Sequence, residues 1–117
     1  MMRLLVLLVL GATVFAQPSA DLNQALAASR QQIDSIDSQI IKLLNERARV
    51  VRDVGAIKKR FHAPASAPGR EARVLQRAGA QAQAPLTPEA VEAIYRTILH
   101  EMSSMEATQM QKESNAR

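Results

Sequence analysis

The chain has 117 residues, so it offers one domain at most. With no cysteine and two histidines, disulfide bonds and thiolate or histidine-based metal sites are excluded. The formal net charge is +4, but basic and acidic residues are mixed along the chain. Aromatic residues make up only 3% of it. This pattern does not favour nucleic-acid binding, which usually needs a basic patch and stacking aromatic side chains.

The N-terminal segment, residues 1–20, is typical of a signal peptide. Arg3 is followed by an apolar run that reaches Ala16, and small residues suited to cleavage lie at 14–16 and 18–20. The run is shorter than the roughly 20 residues that span a bilayer. We therefore predict a periplasmic or secreted protein that leaves the membrane once this segment is removed; the alternatives are an uncleaved anchor and a buried core helix.

The next segment predicts a very long helix, from about Asp21 as the N-cap to Phe61, with Pro64 beyond its end. Apolar residues recur along it at helical spacing: Leu26, Ile33, Ile36, Ile40, Leu43, Leu44, Val50, Val51, Val54, Ile57 and Phe61. Such a helix extends roughly 60 Å, whereas a domain of about 100 residues has a radius of gyration near 13 Å. Because two short helices cannot cover so long a stripe, we predict a homodimer with intertwined helices.

A second helix is predicted from about Pro68 to Ala78. Pro68 suits the first helical position, and Gly79 suits the C-terminal stop. Residues 79–86 are rich in Ala and Gln and are predicted to form a linker.

The third helix is predicted from about Pro88 to Gln109, with Thr87 as its N-cap. The sequence therefore predicts an all-α fold whose protomer has three helices within residues 21–110, followed by a polar tail, residues 111–117.

Cationic residues occupy positions that the pattern of the first helix assigns to the interior. Arg47 lies in the apolar stripe, and Lys58, eleven residues on, lies about 20° around the helix and about 16 Å along its axis. The two therefore share a face and can converge on one ligand. Arg30 lies about 25 Å before Arg47 and is turned by about 100°, so it could reach such a ligand only from the partner chain of a crossing dimer.

These cations have other interpretations. Each could be solvated at a helix edge, or could form a structural ion pair with Glu46 or Glu71, because an unpaired buried cation is costly. Few acidic residues lie near them in sequence, which indicates an anionic ligand instead. Glu106, at the edge of the inner stripe of the third helix, is either an exposed end residue or part of the same site.

Short motifs along the chain resemble those of the all-helical, type II chorismate mutases. They are residues 29–37 (SRQQIDSID), 43–48 (LLNERA), 54–58 (VGAIK), 70–75 (REARVL) and 95–98 (YRTI). Each motif alone is weak, but together, in order and at matching intervals, they are specific and cover about residues 22–109. The resemblance implies a chorismate mutase that rearranges chorismate to prephenate without a cofactor, as a homodimer with shared active sites; together with the N-terminal segment, it predicts an exported form.

By position, the resemblance implies the roles of five residues. Arg30 of the partner subunit and Arg47 would bind the two substrate carboxylates. Lys58 would reach a carboxylate and the ether oxygen of the breaking bond. Glu71 would accept a hydrogen bond from the ring hydroxyl, and Arg70 would help to order the loop and the pocket.

Three substrate-binding positions depart from the family pattern. Ala67 stands where members often carry Asp, which leaves only backbone contact, and Met102 stands where a Ser commonly lines the pocket. Glu106 stands where many members have a Gln opposite the ether oxygen, although some carry Glu. We assign catalysis to Arg47, Lys58 and Glu106, and predict higher activity at mildly acidic pH, because protonated Glu106 donates a hydrogen bond as Gln does.

The residue types agree with this chemistry, since an intramolecular rearrangement needs no nucleophile, metal ion or proton transfer. Two alternatives stay open. An isochorismate pyruvate lyase would share the fold and the cations, although the pair Arg70 and Glu71 favours the mutase, because Glu71 can recognise the ring hydroxyl. A noncatalytic exported helical dimer would use the cations structurally.

Overall fold

The structure is a computed structural model that describes residues 19–116. It has three α-helices: α1 spans Ala20–Arg60, α2 spans Pro68–Ala80 and α3 spans Pro88–Asn115. The described residues include no strand, which confirms the all-α prediction. Within this range, no helix combines the length and the apolar character that crossing a bilayer requires.

The chain divides into two compact units, and the boundary falls inside α1. The first unit ends at Ser38, and the second, which begins at Gln39, contains the rest of α1 together with α2 and α3. Residues 1–18, which form nearly all of the predicted signal peptide, lie outside the described residues.

Side-chain oxygens cap α1 and α3. Ser19 Oγ accepts a hydrogen bond from the N–H of Leu22 at 3.2 Å, and Asp21 lies within the first turn, so the prediction of Asp21 as the N-cap was wrong. A carboxylate in the first turn still stabilises the positive end of the helix dipole. Thr87 caps α3 as predicted, because its Oγ1 accepts a hydrogen bond from the N–H of Ala90 at 3.1 Å.

Gly79 does not end α2, contrary to the prediction. The helix continues to Ala80, Gly79 is buried, and a Cβ at this position would lie 2.7 Å from Oε1 of Glu92. Glycine therefore permits the close approach of α2 and α3, which pack against each other. α3 also extends beyond its predicted end at Gln109 into the segment expected to be a polar tail.

The second unit has a small core and a large exposed apolar surface. Val74 and Ala78 of α2 are buried with Leu99 of α3. On the part of α1 that belongs to this unit, six large apolar side chains are exposed: Ile40, Ile41, Leu43, Val50, Val54 and Ile57. Leu43 is 62% exposed, although it belongs to the stripe that the sequence assigns to an interior. Contiguous exposed apolar surface of this kind is typical of a protein–protein contact.

Candidate functional site

A pocket of about 320 Å³ lies within the second unit, where the C-terminal part of α1 meets α2 and α3. Its apolar walls are formed by Val50, Val51, Val54, Val74, Leu99 and Met102. Charged side chains from all three helices complete the lining. Where a ligand covers these apolar walls and displaces water, the charges would act on it more strongly than in bulk water.

The structure brings together in this pocket every predicted site residue of the second unit: Arg47, Lys58, Ala67, Arg70, Glu71, Met102 and Glu106. Arg30 lies in the first unit, where it is exposed and its Nη1 donates a hydrogen bond to Oδ1 of Asn23 at 3.3 Å. Ser103 and Ala65 also line the pocket and were not predicted.

Lys58 and Glu106 form a buried ion pair. Nζ of Lys58 lies 2.7 Å from Oε1 of Glu106, with side chains that are 21% and 7% exposed. The two atoms are close, but their angles are not those of a hydrogen bond. The ammonium donates one hydrogen bond to the carbonyl oxygen of Ala65 at 2.7 Å. Glu106 is therefore not an exposed end residue, and the Lys58 ammonium lies close to both this carboxylate and the carbonyl oxygen of Ala65.

Gly55 makes room for Glu106 beside Lys58. It is the buried residue of α1, and a Cβ there would lie 3.1 Å from Cγ of Glu106 and 3.6 Å from Cγ of Met110. A distance of 3.1 Å is tighter than an ordinary van der Waals contact, so a Cβ at this position would shift the Glu106 side chain by a few tenths of an ångström. Gly55 lies one helical turn before Lys58, which places the carboxylate against the ammonium.

Arg47 offers an unsatisfied donor. Its side chain is half-buried, and its Nη1 is buried without a hydrogen-bond partner among residues 19–116. Glu46, which the sequence suggested as a partner for the cations, is exposed and forms no ion pair within that range. A buried donor without a partner is destabilising by about 1–3 kcal/mol or more when charged. An anionic ligand would remove this penalty.

Glu71 has a serine partner that the sequence analysis missed. It lies in the first turn of α2, and its Oε1 accepts a hydrogen bond from Oγ of Ser103 at 3.0 Å. Ser103 lies four residues after the buried Leu99 and three before the buried Glu106, so helical spacing alone could have placed it on the inner face. It adds a hydroxyl to the pocket beside Met102, where the resemblance implied the loss of one.

Ala67 lines the pocket and has no polar side chain. Its carbonyl oxygen accepts a hydrogen bond from the N–H of Glu71 at 3.0 Å, and it provides no side-chain cap for α2. Across residues 19–116, no group of three or more His, Asp or Glu side chains is arranged to hold a metal ion.

A family profile and several known proteins match this chain, and they indicate the same family. The profile of the family described as Chorismate mutase type II matches residues 29–107. The chain is 35% identical over 82 residues to the T-protein of Enterobacter agglomerans, covering 69% of this chain and 22% of that protein. It is 34% identical over 87 residues to the bifunctional chorismate mutase/prephenate dehydratase of Aquifex aeolicus, covering 71% of this chain and 24% of that protein.

A shorter relative, the chorismate mutase of Methanocaldococcus jannaschii, is 39% identical over 54 residues, which covers 46% of this chain and 54% of that protein. The chain thus spans less than a quarter of the T-protein and about a quarter of the bifunctional protein. The matched range 29–107 includes all the predicted site residues, from Arg30 to Glu106.

Proposed function

Because the chain belongs to the type II chorismate mutase family, we propose that it converts chorismate to prephenate. The reaction occurs within one molecule: the ether C–O bond of the enolpyruvyl group breaks while a C–C bond forms between that group and the ring. No atom is gained or lost. The protein must therefore hold a flexible dianion in its reactive shape and stabilise the negative charge that develops on the ether oxygen.

The observation that carries this proposal is the buried Nη1 of Arg47, which has no hydrogen-bond partner among residues 19–116 and belongs to a pocket that also contains Lys58. The planar fork of an arginine can bind a carboxylate through two parallel hydrogen bonds. A dicarboxylate bound here would satisfy Nη1 of Arg47, and Arg70 at the exposed side of the pocket adds a further positive charge.

Lys58 is the group that would act on the ether oxygen. Its ammonium is held by the carbonyl of Ala65, so it is oriented before the substrate arrives. Preorganised donors in a dry site stabilise developing charge strongly, and the removal of one commonly costs about 3–4 kcal/mol of the activation barrier. Glu106, next to Lys58, donates a hydrogen bond to the same oxygen only when it is protonated.

The reaction can be tested by incubating the purified protein with chorismate and, separately, with isochorismate. We expect prephenate from chorismate and no salicylate or pyruvate from isochorismate. Formation of salicylate and pyruvate would identify an isochorismate pyruvate lyase instead. If both substrates are unchanged, the protein is a noncatalytic helical dimer or binding module.

We also propose that the protein is a homodimer in which the partner subunit's Arg30 completes each pocket. The exposed apolar stripe of α1 supports this, because Ile36, Ile40 and Leu43 are 54%, 48% and 62% exposed. Light scattering should give the mass of two chains. A monomer that turns over chorismate would refute the shared site.

Mixing two inactive variants tests the shared site directly. Arg30→Ala and Arg47→Ala chains are unfolded together and refolded at equal amounts, so that about half of the dimers contain one chain of each kind. In each mixed dimer, one pocket contains both substitutions, and the other pocket contains an intact Arg47 and an intact Arg30. We expect about a quarter of the wild-type activity per chain; activity no higher than that of the separate variants would exclude a site built from two chains.

The predicted export remains part of the proposal: residues 1–20 would direct the chain to the periplasm or out of the cell. Ser19 caps α1, so cleavage after Ala16 keeps this cap and cleavage after Ala20 removes it. We therefore favour Ala16. Expression of the full chain in a bacterium, followed by cell fractionation and intact-mass measurement, tests both points; a cytoplasmic protein that retains residue 1 would contradict them.

A further inference from the structure

Glu71 and Ser103 join two helices through one hydrogen bond at the pocket. Glu71 extends from the first turn of α2, and Ser103 lies on α3, with 3.0 Å between Oε1 and Oγ. Among residues 19–116, Ser103 is the only side chain that donates a hydrogen bond to this carboxylate, and Oε2 has no donor. Both residues are half-buried and line the pocket.

Within residues 19–116, no other hydrogen bond or ion pair restrains the side chain of Glu71. The preceding loop ends at Ala67, which caps the helix without a polar side chain. The N–H of Glu71 is bonded to the carbonyl of Ala67, which fixes the backbone but leaves the torsions of the side chain free. The carboxylate would therefore sample several rotamers if the hydroxyl of Ser103 were absent.

We propose that Ser103 is a positioning residue: by holding Oε1 of Glu71, it directs Oε2 into the pocket as an acceptor for the ring hydroxyl of the substrate. The inference rests on the proposed mutase function and deepens it, because it names the residue that sets selectivity for a hydroxylated ring. A hydroxyl that donates to a carboxylate forms a charge-assisted hydrogen bond, which is about twice as strong as a neutral one.

Selectivity follows from the same geometry. A site built to hydrogen-bond a substrate hydroxyl discriminates strongly against an analogue without it, because the site's polar group is left unpaired. This discrimination depends on Oε2 being in place before binding. Loss of Ser103 should therefore weaken the reaction of the hydroxylated substrate and leave the reaction of an analogue without the hydroxyl almost unchanged.

The test is a comparison of two substrates with four proteins. The substrates are chorismate and the analogue in which hydrogen replaces the ring hydroxyl. The proteins are the wild type, Ser103→Ala, Ser103→Thr, which keeps a hydroxyl, and Ser104→Ala, a matched control at an exposed position outside the pocket. Circular dichroism establishes that each variant is folded.

We expect Ser103→Ala to lower kcat/KM about tenfold for chorismate and less than about twofold for the analogue, as the loss of one charge-assisted hydrogen bond predicts. Ser103→Thr should recover most of the chorismate activity, and Ser104→Ala should match the wild type with both substrates. Equal losses with both substrates, or no loss with chorismate, would overturn the positioning role. If the wild type converts neither substrate, the proposed function fails, and this inference fails with it.

Discussion

The buried pair of Lys58 and Glu106 predicts that stability and activity respond differently to one substitution. Lys58→Ala removes the ammonium that lies 2.7 Å from a carboxylate only 7% exposed. Removing one partner of a buried pair commonly costs 3–5 kcal/mol, and we expect about 3 kcal/mol here, the lower end, because the lysine side chain is 21% exposed. The same change removes the donor to the ether oxygen, which should lower kcat by about 10²–10³-fold.

A second substitution separates the two effects. In the double variant Lys58→Ala/Glu106→Gln the uncompensated buried charge is gone, so most of the lost free energy of unfolding should return. The activity should not return, because the ammonium is still missing.

Urea unfolding followed by circular dichroism measures the stability, and the loss of chorismate absorbance measures the rate. Lys42→Ala is a matched control, since Lys42 is exposed on the same helix outside the pocket. Wild-type kcat in Lys58→Ala, or a double variant that regains activity together with stability, would contradict this prediction.

Three further predictions concern the surroundings of this pair. Glu106→Gln should raise kcat, because an amide can donate a hydrogen bond to the ether oxygen and an ionised carboxylate cannot; an unchanged or lower kcat would contradict the idea. Gly55→Ala should lower kcat about tenfold, because its Cβ would lie 3.1 Å from Cγ of Glu106 and would displace that side chain; steady-state kinetics on chorismate measures this. The Cβ added by Gly79→Ala would contact Glu92 rather than a pocket residue, so the kcat of this variant should equal that of the wild type. A lower kcat in both glycine variants would indicate a general packing defect.

Much of the fold is local and could be read from the sequence. The cap at Thr87 and the starts of α2 and α3 depend on neighbouring residues, and all three predictions were confirmed. Gly79 was misread because the same residue type serves as a helix stop and as a place of close approach, and only the position of Glu92 on α3 distinguishes them.

The candidate site could be predicted only in part, for a similar reason. Arg47 and Lys58 interrupt an apolar stripe, which is a signal within one helix, and both line the pocket. The partner of Lys58 lies on another helix, so no spacing along α1 could identify Glu106. Ser103 had a weaker signal, because its place on the inner face of α3 follows from helical spacing but its bond to Glu71 does not.

The proposed function requires that Nη1 of Arg47, which is buried without a hydrogen-bond partner among residues 19–116, binds an anionic ligand. Titration calorimetry with a dicarboxylate transition-state analogue tests this most directly. We expect the wild type and Arg49→Ala, an exposed control on the same helix, to bind with equal affinity, and Arg47→Ala to bind at least about 100-fold more weakly. Absence of heat with the wild type, or equal binding by all three proteins, would contradict it.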